Sequence, residues 1–323
     1  MCTAIIFKAK NHYFGRNLDL ERRFSESVTI MPRGYQIKYK NGEVDSAHYA
    51  MIGMATVVDN YPLYYDATNE YGLSIAGLNF VGNAYFEEDD GGKRYIAVFE
   101  LIPYLLSKCK TVSECEVALR EINIQNIPFN EEYRTAELHW MIADKERCIT
   151  LECTREGMNI YENMVGVLTN NPPFPYHMVN LCNYMNLTSR EPSNRLSDKV
   201  ELSAYSRGMG ALGMPGDLSS MSRFVRVCFT KLNSVIPESE IDSIGQAFHI
   251  LASVEQQEGS VRLGNKFERT QYASCCDMDD VVYYYKTYNN HQITAVGMFN
   301  EDLGGSELIS YKLVCTQQIR YVN

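Results

Sequence analysis

The sequence predicts an α+β domain of two sheets with helices outside, one unit running over residues 1–323. Three observations carry that expectation. Strand-like and helix-like stretches come in blocks, in the order strands, helices, strands, helices, strands. Strand blocks stand at both ends, so the termini are expected to share a core. No linker, internal repeat or low-complexity tract interrupts the chain. With 45% hydrophobic and 22% charged residues, the composition is that of a globular protein with a large core. The 23 tyrosines add weight to β-structure, since Tyr suits half-buried strands where one end packs and the other stays wet.

The elements follow in order. CTAIIFK and HYFGR flank Lys10-Asn11 as a hairpin. ESVTIM and YQIKYK read as further strands, and Asn41-Gly42 is a type I′ turn signal. LSIAGLNF, residues 73–80, is a mostly apolar strand. From near Lys93, RYIAVFELIPYLLSKC has the apolar face of a helix, with Pro103 expected to kink or split it. Ser113-x-x-Glu116 resembles a capping box for a helix reaching about Ile122. HWMIAD and CITLECT return to strand around a DKE turn. Helices are expected from Phe174 to Leu187, Ser222 to Leu232 and Ser239 to Leu251. YASCCDM, DVVYYYKTYN and QITAVGMF close the chain as strands.

Composition also argues against several functions. A net charge of −10 repels phosphate backbones, so nucleic acid is not an expected partner. No apolar run is long enough to span a membrane, and MCTAIIFKAK lacks the basic start and apolar core of a signal peptide. The expected location is the cytoplasm. The ten cysteines are scattered, with no C-x-x-C pair, and most lie in apolar runs, as small buried hydrophobes do. The six histidines never pair with them at zinc-ligand spacing, so zinc is not expected. Cys275-Cys276 does not suit redox chemistry: neighbours on a strand point to opposite faces.

Position 2 carries the sharpest chemistry. Removal of the initiator Met leaves Cys2 with its α-amine beside its own thiol. An α-amine titrates near pH ~8 and a thiol near ~8.5, so the amine can take the thiol proton and later protonate a leaving amine. The plainer alternative is a small residue opening an edge strand. One hairpin later comes Gly15-Arg16-Asn17-Leu18-Asp19. Strand pairing would return Arg16 and Asp19 to the N-terminus, where Asp19 can hold the ammonium and Arg16 favour the thiolate. A surface ion pair is the competing reading. Asn79 ends a strand, and Thr169-Asn170-Asn171-Pro172-Pro173 follows another; such amides serve as oxyanion donors or as turn formers. Arg223 stands in the first turn of a helix, against its dipole.

M-C-T, GRNLD, the LNF strand, LTNNPPF and PGDLSSMSRFVR, in this order across essentially the whole chain, resemble the choloylglycine hydrolase family of bile salt hydrolases and penicillin V acylases. The resemblance implies the four-layer αββα sandwich of N-terminal nucleophile hydrolases, with two antiparallel sheets. It implies Cys2 as nucleophile, Arg16 and Asp19 as its partners, Asn79 and Asn171 as oxyanion residues with Asn170 as the second choice, and Arg223 as a further site residue. A bare Met is then the segment to remove. The implied reaction is hydrolysis of glycine- or taurine-conjugated bile salts, without cofactor, by a homo-oligomer, a tetramer in the family. The alternative is penicillin V or another N-acyl amine. Asn at position 79 resembles the bile salt branch, where penicillin V acylases more often carry Tyr. The apolar neighbours Leu18, Leu20, Tyr61, Leu63, Tyr64 and Tyr65 suit a steroid wall; of these Leu18, Leu20 and Tyr65, with Asn170, are the expected substrate-binding residues.

Overall fold

The computed structural model describes residues 1–87 and 94–323. Its frame is two stacked antiparallel sheets. The first runs, strand beside strand, Val167–Leu168, Cys2–Lys8, His12–Leu20, Lys266–Asp277, Val282–Thr287 and Asn290–Gly297, with Val261–Leu263 paired to Lys266–Asp277. The second runs Gly157–Glu162, Cys148–Thr154, Leu138–Ala143, Ser74–Asn79, Tyr61–Asn69, Met51–Val58, Ser27–Met31 and Ile309–Lys312. Strands from both ends of the sequence thus enter both sheets, as the blocked pattern predicts.

Helices cover the two outer faces. α1 (Leu101–Lys108) packs on the second sheet, and α2 (Val112–Arg120) lies beside it. α3 (Phe174–Leu181), α4 (Ser220–Leu232) and α5 (Glu240–Ala252) form the layer over the first sheet. One core cluster joins the two sheets to α4 and α5, through Val28, Ile52 and Met141 on one side and Phe224 and Leu251 on the other. A second lies under α1 and α2, around Ile75, Leu105 and Trp140. Gly15 shows how closely α5 sits: a side chain there would come within 3.2 Å of the Leu251 methyl and closer still to the Ser274 carbonyl. The architecture is the αββα sandwich expected from the resemblance.

Several local expectations are not met: the helix expected from Phe174 to Leu187, for one, ends at Leu181 and is followed by a 3-10 turn over Cys182–Tyr184. The tight hairpin turn is Asp59-Asn60, both left-handed, between the paired Val58 and Tyr61. At Asn41-Gly42 Gly42 takes positive φ and Asn41 does not, so a longer loop joins two short strands, Ile37–Lys38 and Val44–Asp45. Arg94–Ala97 is a strand paired in parallel with Ile122–Gln125, and α1 begins only at Leu101. Pro103 therefore sits in the first turn, where a missing N–H costs nothing; Lys93 lies outside the described residues. α2 is capped two residues earlier than expected, by the Thr111 hydroxyl accepting from Glu114 N–H, and ends at Arg120.

Candidate active site

The first hairpin builds the centre of the site. Cys2 opens the strand Cys2–Lys8 and pairs with Leu18, while Arg16 pairs with Ala4 two positions along. Residues at this spacing share a face. Arg16 Nη2 accordingly lies 3.0 Å from Cys2 Sγ. Cys2 is 2% exposed and Arg16 1%. Arg16 Nη1 donates to the Tyr65 carbonyl at 2.7 Å and faces Asp66 Oδ1 at 3.8 Å. The Asp66 carboxylate in turn accepts from Tyr272 Oη at 3.0 Å and Tyr283 Oη at 2.6 Å. Burial works against the Arg16 charge, yet Tyr272, Cys2 and Asp66 together hold its pKa above the ordinary value.

Asp19 is wholly buried on the same strand. Its carboxylate accepts from Thr270 Oγ1 at 2.6 Å and Gln256 Nε2 at 3.3 Å, and lies 4.0 Å from Arg223 Nη1. Burial pushes the Asp19 carboxyl up, with the Arg223 charge the largest effect in the other direction. Arg223, in the first turn of α4, is 0% exposed. It donates to the Cys2 carbonyl (2.6 Å), Thr3 Oγ1 (2.6 Å), Asn170 Oδ1 (2.7 Å) and the Leu218 carbonyl (3.0 Å). Four acceptors explain why a cation is tolerated at the positive end of a helix.

Met1 is in place in this structure and extends the hairpin by one pair. Its carbonyl accepts from Asp19 N–H at 2.8 Å, and its ammonium group donates to the Asp19 carbonyl at 2.6 Å and pairs with the Glu268 carboxylate. Cys2 nitrogen is then a peptide N–H, which donates to Asn170 Oδ1 at 2.9 Å. The acceptor on this peptide nitrogen is Asn170, while Asp19 meets the Met1 ammonium through its carbonyl.

The two asparagines are told apart by where their side chains lie. Asn171 Nδ2 donates to the Val81 carbonyl, and its side chain is turned away from Cys2. Asn170, 6% exposed, takes the place against Cys2, in the bend that follows the strand Val167–Leu168. Its Oδ1 meets two donors, so the amide orientation is defined: Nδ2 donates to the Asn79 carbonyl at 2.8 Å and keeps a second N–H. The segment is braced from behind. His177 Nε2 hydrogen-bonds the Asn170 carbonyl at 2.8 Å, His139 Nε2 the Thr169 carbonyl at 3.0 Å, and Ser220 Oγ accepts from Asn170 N–H at 2.8 Å.

Cys2 stands on the wall of a cavity of about 310 Å³, within the range of small-molecule sites. Its lining is largely apolar and includes Leu18, Leu20, Phe24, Tyr65, Phe129 and Trp140, with Asn79 among them. Leu63 and Tyr64 also line it, whereas Tyr61 packs behind, on Phe99 and Phe129. A wider polar recess of about 1550 Å³, bordered by Glu137, Arg155 and Pro172, shares Thr135 with the cavity but does not reach Cys2.

The structure therefore brings together Cys2, Arg16, Asp19, Asn170 and Arg223 directly, with Asn79 alongside, and leaves Asn171 out. Residues that sequence reasoning missed are Asp66, Tyr272, Tyr283, Gln256, Thr270, His177 and Glu268. Asp66 left a signal, as a lone carboxylate inside the strand YPLYYDATN. Cys275 and Cys276 are fully buried, and burial raises both thiols above the ordinary value.

Comparison with known proteins agrees with this geometry. The profile of the linear amide C–N hydrolases, choloylglycine hydrolase family, matches residues 2–311. A bile salt hydrolase/transferase of Lactiplantibacillus plantarum is 52% identical over the full length of both chains. The C2A mutant of the conjugated bile acid hydrolase from Clostridium perfringens superposes with a TM-score of 0.92 at 37% identity, covering 100% of each chain. A penicillin V acylase from Agrobacterium tumefaciens shares the fold, with a TM-score of 0.78 at 17% identity over 97% of this chain and 92% of its own. The chain belongs to the choloylglycine hydrolase family of linear amide C–N hydrolases.

Proposed function

We propose that the protein hydrolyses the amide bond of glycine- or taurine-conjugated bile salts, with Cys2 as nucleophile once Met1 is removed. The observation that carries this reading is the position of the buried thiol, against a guanidinium at 3.0 Å and at the wall of an apolar cavity. Removal of Met1 turns the Cys2 peptide nitrogen into an amine with a lone pair. That amine takes the thiol proton, and Arg16 stabilises the thiolate that forms. Sulfur attacks the amide carbonyl. The oxyanion meets the second N–H of Asn170 Nδ2 and groups at Asn79. The Cys2 ammonium, held by Asn170 Oδ1 and the nearby Asp19 charge, protonates the departing amine. Water activated by the same amine then hydrolyses the thioester. Arg223 holds the Cys2 carbonyl and Asn170 in register throughout.

An apolar cavity suits a steroid, whose hydrocarbon face gains roughly 25 cal/mol per Å² on burial. The leaving groups glycine and taurine carry an anionic end, and Arg134 is the arginine on the cavity lining that can offset it. The competing substrate is penicillin V. A side-by-side assay of released glycine, taurine and 6-aminopenicillanate tests the choice. Higher kcat/KM for cholate or deoxycholate conjugates is expected; penicillin V equal to or above every bile salt reverses it.

We further read residues 1–323 as one catalytic domain, assembled as a homotetramer in the cytoplasm. Strands from both ends in both sheets support the single domain. Exposed apolar side chains on the 185–212 segment, Met185, Leu196, Leu202, Tyr205 and Leu212, support self-association. Among the described residues no helix is long and apolar enough to cross a membrane. Native mass spectrometry and cell fractionation check both; a monomer in solution, or activity found outside the cytoplasm, contradicts them.

A further inference from the structure

The cavity beside Cys2 is apolar almost throughout, and that makes its exceptions informative. Among the described residues, two buried side-chain polar atoms without a partner in the protein belong to its lining, Thr135 Oγ1 and Trp140 Nε1. Thr135 stands between the cavity and the polar recess and is half-buried as a residue. Trp140 is different: it is 0% exposed on the strand Leu138–Ala143. Indole nitrogen is a donor only, and a buried donor left unpaired costs about 1–3 kcal/mol. Buried donors of this kind are therefore nearly always paired, by protein, water or ligand.

The backbone opposite this donor is that of a glycine. Trp140 pairs in register with Gly77, which also lines the cavity. A side-chain carbon at Gly77 would stand 3.3 Å from Nε1 and 3.2 Å from a Leu138 methyl. Any larger residue at position 77 would therefore press against the N–H. The remaining neighbours on this wall, Val98, Phe99, Ile102 and Leu138, carry no side-chain acceptor. A largely apolar chamber with a buried, unpaired donor on its wall suits a ligand that is mostly hydrocarbon with an isolated oxygen.

We propose that Trp140 is a specificity-determining residue: its Nε1–H donates to a ring hydroxyl oxygen of the bound steroid, so that the enzyme distinguishes bile salts by their hydroxylation. This inference rests on the bile-salt reading above. A site built to pair a hydroxyl penalises the analogue that lacks it, because the donor is then buried without an acceptor.

The experiment compares kcat/KM for the glycine conjugates of cholic acid and of cholanic acid, which has no ring hydroxyl, in the wild type and in Trp140→Phe. Phe keeps an aromatic wall and removes the N–H. The hydroxylated-to-unhydroxylated ratio is expected to fall about tenfold in the variant, whatever happens to its absolute activity. A ratio unchanged within about twofold would overturn the proposal, a structural water then being the partner of Nε1. If the wild type hydrolyses neither conjugate, the bile-salt reading fails and this inference with it. Should Trp140→Phe not fold, the chain offers a second reading, since Trp140 is its single tryptophan. In inactive Cys2→Ala, glycocholate is expected to shift tryptophan emission to longer wavelength, and cholanoylglycine is not. The same response to both ligands, each shown to bind by calorimetry, contradicts the proposal.

Discussion

Asn170 serves the site through every atom of its amide. Oδ1 accepts from Cys2 and Arg223, and Nδ2 donates to the Asn79 carbonyl while keeping one N–H for the oxyanion. Asn170→Ala is therefore expected to lower kcat by about 100-fold, the cost of losing one oxyanion donor, before the loss of alignment is added. Asn171→Ala, which removes only a surface bond to Val81, should stay within about threefold of wild type. Steady-state kinetics on one bile salt decide between the two. A larger loss for Asn171 would restore the assignment made from sequence. Behind the thiol, Asp66 gives Arg16 the counter-charge that a fully buried guanidinium needs. Tyr272 and Tyr283 complete its hydrogen bonding, from strands more than 200 residues away in sequence.

At the scale of elements, the first hairpin was legible because its signals are local. Two strand-like runs, residues 2–8 and 12–18, separated at Lys10-Asn11, pair in the register that returns Arg16 and Asp19 to Cys2. α4 was legible for the same reason, and Arg223 in its first turn proved to be held by four acceptors. What sequence could not supply were partners from distant strands: Thr270, Gln256, Tyr272 and Tyr283 carry no local mark of their contact with Asp19 or Asp66. Nor did it separate Asn170 from Asn171, since the facing of one residue in a bend is decided by where the neighbouring strand passes. α3 adds a pH-dependent element. His177 stacks on Phe224, with ring centroids 4.7 Å apart, and holds the Asn170 carbonyl. Burial pushes its pKa down to about 4, so it is neutral in the fold and charges on unfolding. Its contribution is fully present above the unfolded value of ~6.5 and is lost as pH falls through about 4, on the order of 3 kcal/mol in all. Denaturant midpoints should show the stability difference between wild type and His177→Phe shrinking from pH 6.5 to 4. A difference that is flat over this range contradicts the assignment.

On the scale of the whole molecule, the sandwich places the reacting groups where its layers meet. The first sheet contributes Cys2, Arg16 and Asp19. The second contributes Asn79 and the wall formed by Gly77, Leu138 and Trp140, and α4 contributes Arg223. The fold class followed from the blocked order of strands and helices; the stacking of two sheets came from the resemblance. The central claim is that a Cys2 freed of Met1 carries the acyl group. Rapid acid quench of the enzyme turning over glycodeoxycholate, followed by peptide mass spectrometry, tests it directly. The account predicts one deoxycholyl adduct, on an N-terminal peptide that begins at Cys2. An adduct on any other residue, or full activity in protein that retains Met1, would contradict it.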